Sequence, residues 1–193
     1  MARRSTGSTR IAGLLVALAL AVGASGCSSS GKSSSSTSGS PSGDQVASSP
    51  SSVTFNDVTV AGATDLASKP KVSAKSSNTP AALEVKDLVD GDGAAASPTS
   101  TVTVQYVGVR YTDGKQFDAS WDHQGAISFS LQQVVPGFTQ GIGGNSQVSP
   151  MKVGGRRIMI LPAALGYGAA GTPDGSIPPN TPIVFVVDLV GVS

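Results

Sequence analysis

Metal-binding and redox side chains are almost missing: the chain holds one cysteine, Cys27, and one histidine, His123. One cysteine excludes an intrachain disulfide. With no carboxylate cluster near His123, a single Cys and a single His cannot assemble a zinc site. Serine is plentiful, but no nucleophile elbow precedes an acid and a histidine in the order a hydrolase needs. Gly-rich stretches such as Gly141-Ile142-Gly143-Gly144 lack the Lys-Ser/Thr that completes a phosphate loop. Charge is scarce and nearly balanced, 13 Lys+Arg against 12 Asp+Glu. No segment is basic enough to follow a phosphate backbone, so nucleic acid is not an expected partner. Hydrolysis, phosphoryl transfer and metal chemistry are all poorly supported, and no cofactor or metal is expected.

The N-terminal end reads as an address. Arg3, Arg4 and Arg10 precede an apolar run, Ile11 to Val22, which is followed by Ala24-Ser25-Gly26-Cys27. A basic region, a short apolar region and small residues before a cleavage point predict a signal peptide over residues 1–26. The run falls short of the roughly 20 apolar residues that span a bilayer. Cys27, directly after the small residues, resembles a lipobox cysteine, which is acylated and becomes the mature N-terminus; Ala24 stands where leucine is commoner. An ordinary signal peptide followed by an accidental cysteine is the bland alternative. A lipid anchor holds through its buried CH₂ groups, at about 0.8 kcal/mol each. Without the three arginines the formal charge falls from +1 to −2. Residues 27–52 are Ser/Gly/Pro-rich with almost no apolar side chains, and such a stretch is expected to be a tether. These features together predict an exported protein, lipid-anchored to the outer face of a bacterial cytoplasmic membrane.

The remainder reads as one α+β domain over residues 81–193, preceded by an extra segment, 53–80, with one or two edge strands. Thr101 to Val109 alternates with period two, placing Val102, Val104 and Tyr106 on one face of a strand. Asp113-Gly114 signals a hairpin into a return strand at Gln116-Phe117-Asp118. Ile127, Phe129 and Leu131 alternate with Ala126, Ser128 and Ser130. Val134-Val135-Pro136-Gly137-Phe138 opens a short helix reaching Ile142. Arg156 to Leu161 and Ile183 to Val190 predict two more strands, the last apolar on both faces. The Gly/Pro-dense loop between them, residues 162–182, is long enough to be functional. An antiparallel twisted sheet wrapped around one short helix is the expected architecture.

The ordered motifs then resemble one family. Val104-Gln105-Tyr106-Val107-Gly108 followed by Asp113-Gly114-Lys115-Gln116-Phe117-Asp118-Ala119-Ser120 is similar to the first half of the FKBP signature. Gln133-Val134-Val135-Pro136-Gly137-Phe138 resembles its helix entry. Leu161-Pro162, Leu165-Gly166-Tyr167-Gly168, Ser176-Ile177-Pro178-Pro179-Asn180 and Val184-Phe185 resemble its C-terminal half. The resemblance covers about Leu83 to Val192. It implies a peptidyl-prolyl cis–trans isomerase whose apolar cavity receives the proline of a substrate. Phe138 would be the floor, and Tyr106, Phe117, Val134, Val135 and Phe185 the walls. Tyr167 would offer its hydroxyl, and Val135 its N–H, to substrate carbonyls. Asp118 would sit at the rim and Ile177 in the overhanging loop. Ile127 stands where the family commonly has Phe, and Thr172 where a His is frequent. The link from Leu131 to Val134 is short, and Gly143 to Pro150 is long.

Such a site needs no acid, base, nucleophile or cofactor, which agrees with the absences above. The implied partners are proline-containing unfolded or newly exported proteins, with macrolides as candidate inhibitors and a monomer as the expected state. Taken singly, each of these residues has a plain alternative: Phe117, Phe138 and Phe185 as core, Tyr106 and Tyr167 as core tyrosines with satisfied hydroxyls, Asp118 as a turn cap. Only their joint order sets them apart. Trp121 and His123 follow Asp118 in a loop where the family varies; Trp121 is a candidate rim contact and His123 is read as solvent-exposed, and neither is assigned to the site. An FKBP-like chaperone or binding module with little turnover is the second reading, motivated by the altered links.

Overall fold

The computed structural model describes residues 51–193. The signal-peptide region, Cys27 and all but the last two residues of the 27–52 tether therefore lie outside the described residues.

Among the described residues, nine strands, one α-helix and three 3-10 turns follow in chain order. Strands β1 (Ser52–Phe55), β2 (Val58–Ala61) and β3 (Lys71–Ala74) form their own antiparallel sheet in the order β1-β2-β3. The main sheet contains β4 (Glu84–Val89), β5 (Thr101–Arg110), β6 (Gln116–Ala119), β7 (Ile127–Ser130), β8 (Arg156–Leu161) and β9 (Ile183–Val192). Its order is β4-β8-β9-β5-β6, with every pairing antiparallel and β7 also paired to β5. The helix α1 spans Pro136–Gly143. Pro136 at its first turn has its φ pre-set for a helix and lacks an N–H that would go unpaired there. The sequence reading of strands, helix and long loop matches these elements closely.

The extra segment forms three strands where one or two edge strands packed on the main domain are expected, and these make a sheet of their own against one face of the main sheet. Val58, Val60, Ala63 and Ala74 bury against Val107, Val109, Ile158, Ile160, Val184 and Val186. β3 was not legible because Lys71-Val72-Ser73-Ala74 offers only two apolar residues among Gly, Pro, Ser and Lys neighbours.

Strand alternation sends the intervening residues to the opposite face, toward α1. There Val102, Val104, Met159, Leu161, Ile183, Phe185, Val187 and Leu189 pack with Leu131, Phe138 and Ile142. This two-sided burial is why β9 is apolar on both faces. The helix lies close enough to β8 that a Cβ on Gly141 would stand 2.2 Å from Met159 Sδ, so any side chain there would have to displace the buried Met159 thioether.

Adjacent arginines on β8 tie the two layers to the sheet. Arg156, fully buried, points to the back, where its Nη2 meets Asp188 Oδ2 at 2.7 Å and its Nη1 donates to Gly62 O at 2.7 Å. Arg157 points to the helix side, pairing with Asp87 and donating to Gly141 O at 2.8 Å and Ser149 O at 2.7 Å. The long Gly143 to Pro150 link is thereby anchored, and it does not loosen the helix.

Candidate active site

β5 borrows two different partners along one edge. Thr101–Val104 pair with β7, whereas Val107–Val109 pair with β6. Between these ladders Gln105 and Tyr106 have no strand neighbour on that side. The Tyr106 N–H is satisfied by Ser120 Oγ at 2.9 Å, and the same hydroxyl donates to Gln105 Oε1 at 2.6 Å. The fork leaves the sheet open beside Tyr106, and a recess of about 600 Å³ occupies that opening.

All ten residues assigned from the sequence line this one recess: Tyr106, Phe117, Asp118, Ile127, Val134, Val135, Phe138, Tyr167, Ile177 and Phe185. Their rings meet edge-to-face, as the quadrupoles of aromatic groups favour. Phe185 is the hub, 4.9 Å from Phe138, 5.5 Å from Phe117 and 6.0 Å from Tyr106, with interplanar angles of 83°, 88° and 69°. Gly108 makes this possible, since a Cβ there would stand 2.6 Å from the tip of Phe117 and 2.9 Å from Phe185.

The polar groups are few and placed at the edge. Asp118 accepts a hydrogen bond from the Tyr106 hydroxyl and lies 3.2 Å from His123 Nε2. Burial, with the hydrogen bond and charge of Asp118 adding to it, raises the Tyr106 hydroxyl far above its ordinary range. Burial also raises Tyr167, and the charges of Asp118 and Asp174 reinforce the shift. Both phenols are therefore protonated donors at neutral pH. The Val135 carbonyl accepts the Phe138 N–H at 2.9 Å, while no protein acceptor takes the Val135 N–H among the described residues. The short link from Leu131 forms a 3-10 turn, closed by Thr139 Oγ1 donating to Leu131 O at 2.5 Å.

Phe129, Gln133, Asp174 and Ser176 also line the recess and were not among the assigned residues, while Thr172 lines it at the position noted for its departure from the family. Phe129 was legible as an inward residue of β7, and its ring stands 5.6 Å from Phe138. Trp121 is a correction: it does not reach the recess but packs on the back cluster. The reason is local. Ala119, buried in that cluster, leads into the 3-10 turn Ser120–Asp122, which carries the indole to the same side. His123 is exposed as expected, yet it meets Asp118.

A family model described as FKBP-type peptidyl-prolyl cis-trans isomerase matches residues 93–190. The chain belongs to that family. An FK506-binding protein of Streptomyces anulatus is 44% identical over 126 residues, covering 64% of this chain and 97% of that one. FkpA of Escherichia coli K12, an FKBP-type isomerase, is 40% identical over 102 residues, 53% of this chain and 34% of its own length. Among solved structures, AtFKBP13 aligns with a TM-score of 0.55 at 32% identity, over 61% of this chain and 98% of that one. The crystal structure of E. coli FkpA aligns with a TM-score of 0.52 at 36% identity, over 63% of this chain and 51% of that one. This protein is thus an FKBP-type prolyl isomerase, and its family match begins beyond β1–β4.

Proposed function

We propose that the aromatic recess is where this isomerase turns over X–Pro bonds, and that its clients are exported or extracytoplasmic proteins. The convergence of Tyr106, Phe117, Phe138 and Phe185 on one solvent-open cavity carries the reading. An X–Pro amide rotates over a barrier of about 18–20 kcal/mol because resonance keeps it planar. Water stabilises that planar, charge-separated form. Ring edges and aliphatic walls from Ile127 and Val134 replace the water and weaken the preference, so the twisted amide binds better than either planar isomer.

The polar groups then hold the peptide without feeding the amide's resonance. The Tyr167 hydroxyl and the unengaged Val135 N–H serve substrate carbonyls flanking the prolyl bond. Asp118 fixes Tyr106 and so the wall beside the proline. Ile177, 1% exposed, braces the overhanging loop. A cavity of this kind also suits a macrolide that presents a prolyl-like ring.

Cys27, by the same proposal, carries the lipid that anchors the chain as a monomer on the outer face of the cytoplasmic membrane, with residues 27–52 as the tether. The motif around Cys27 supports this. Replacing Cys27 with Ser should move the protein from the membrane fraction to the soluble fraction in a bacterial host; retention in the membrane would refute the anchor.

The enzyme test is an NMR exchange measurement on a short Leu-Pro peptide. Acceleration over the solvent rate that a macrolide abolishes is expected. No acceleration, or acceleration unchanged by Tyr106→Phe together with Phe117→Ala, would show that the recess is not the catalytic site.

A further inference from the structure

Two carboxylates line the recess and no Lys or Arg does. Asp118 belongs to β6, and Asp174 to the loop that overhangs the opening. The nearby cations have carboxylate partners outside the recess: Arg110 pairs with Asp113, its Nη1 also donating to Ser176 O at 3.5 Å, and Lys69 pairs with Asp122. Asp118 has His123 beside it. Asp174 has no cationic neighbour within ion-pair distance among the described residues; it accepts from the Ser176 N–H at 3.1 Å and the Ser176 hydroxyl at 2.9 Å. Together with a hydrogen bond from Thr172, which weighs most, these hold its carboxyl below the usual range, so it is charged in any neutral buffer.

The loop that carries Asp174 is pinned. Thr172 N–H donates to Ile177 O at 2.9 Å, Ile177 N–H donates to Thr172 Oγ1 at 2.9 Å, and Ile177 is buried. Both carboxylates also act on one place, since the charges of both are felt at the Tyr167 hydroxyl. That hydroxyl stands at the entrance, on a residue 38% exposed. Two negative charges beside an aromatic wall, which does not screen them as water does, give the opening a negative potential.

We propose that this opening selects X–Pro sites with a basic side chain adjacent to the proline, and that Asp174 is the residue that sets the preference, with Asp118 second. The recess supplies affinity for the prolyl ring; the carboxylates discriminate between its neighbours. This rests on the recess being the catalytic site. An adjacent Lys or Arg gains attraction to both carboxylates, while Glu or Asp meets two like charges. At partly screened surface positions such differences amount to about five- to tenfold in kcat/KM between Lys and Glu.

The test uses two tetrapeptide series, Ala-X-Pro-Phe and Ala-Leu-Pro-X, with X as Lys, Leu or Glu, measured by NMR exchange with the full chain. The Lys-to-Glu ratio of kcat/KM cancels any change common to both peptides. A ratio of about five or more in at least one series is expected, falling to about two in Asp174→Asn and shrinking in 0.5 M salt, where the Debye length drops to about 4 Å. A Lys-to-Glu ratio near one in both series overturns the proposal, as does a ratio that Asp174→Asn leaves intact. The salt titration needs no variant, so a poorly folded Asp174→Asn does not protect the idea. If the wild-type protein accelerates neither Leu peptide, the assignment of the recess fails first and the preference falls with it.

Discussion

The face of the main sheet that meets α1 and the face that meets β1–β3 are both apolar, yet the aromatic recess of about 600 Å³ opens on the first, against openings of about 470 and 270 Å³ beside Trp121 and Val107 on the second. On the back, short Val, Ile and Ala side chains from two sheets interdigitate, and Val58, Val60, Ile160 and Val184 reach zero exposure. On the front, rigid rings meet edge-to-face around Phe185 and cannot collapse to close the space between them. The helix of eight residues covers only part of the face, and the fork between β6 and β7 removes backbone beside Tyr106. Where small branched residues of the two sheets interdigitate the interface is tight, whereas rings at a split edge leave the larger recess.

The largest effect should come from breaking the seal. Val60→Asp places a charge with no partner between the two sheets and should cost about 3–5 kcal/mol of stability. Urea unfolding checks this, and a loss under 1 kcal/mol would mean that β1–β3 do not pack on the main sheet in solution. Arg156→Met removes the guanidinium from Asp188 and the donor from Gly62 O, at about 3 kcal/mol near neutrality. Burial already raises the Asp188 carboxyl above its usual range, with Arg156 pulling the other way. The folded chain therefore binds more protons there than the unfolded chain, and stability falls as pH rises through that interval. Removing Arg156 widens the interval, so the variant should lose less at pH 5 than at pH 7.5. An equal loss at both, by thermal unfolding, would place the energetic role of Arg156 outside this pair.

Substitutions on the front should separate activity from stability. Phe117→Ala, at a half-buried wall position, should lower kcat/KM by about ten- to a hundredfold while costing only about 1–2 kcal/mol in stability. The reverse ordering, an unfolded chain with intact turnover per folded molecule, would make Phe117 core and not site. The smallest effect is expected from Tyr167→Phe. It removes one neutral hydrogen bond, worth about 0.5–1.5 kcal/mol, so kcat/KM should fall several-fold with the melting temperature unchanged.

Legibility followed the strength of local pattern. Thr101 to Val109 and Ile127 to Leu131 alternate cleanly, and both became strands; the Val-Val-Pro-Gly-Phe run contains its own helix start in Pro136. The aromatic set was readable because its members occur in order with motif neighbours, not because any one ring is unusual. β3 was hidden by weak composition. Trp121, a candidate rim contact left out of the assigned site, is carried to the back by the 3-10 turn, and its indole N–H is buried without a partner. Asp174 carried no signal, since one Asp in a Gly/Pro loop is ordinary; only its place at the opening gives it meaning.

By itself the sequence determined the periodicity of each strand, the helix start, and the chemical inventory: rings, three phenols, few charges, one Cys and one His. These are local properties, set by side-chain spacing and backbone preference within a few residues. Only the tertiary structure decided which face each ring shares, that β1–β3 cover the back, and that Asp118 and Asp174, 56 positions apart by their numbers, stand at one opening. Those are long-range outcomes, fixed by which surfaces can exclude water together, and no window of neighbouring residues contains them.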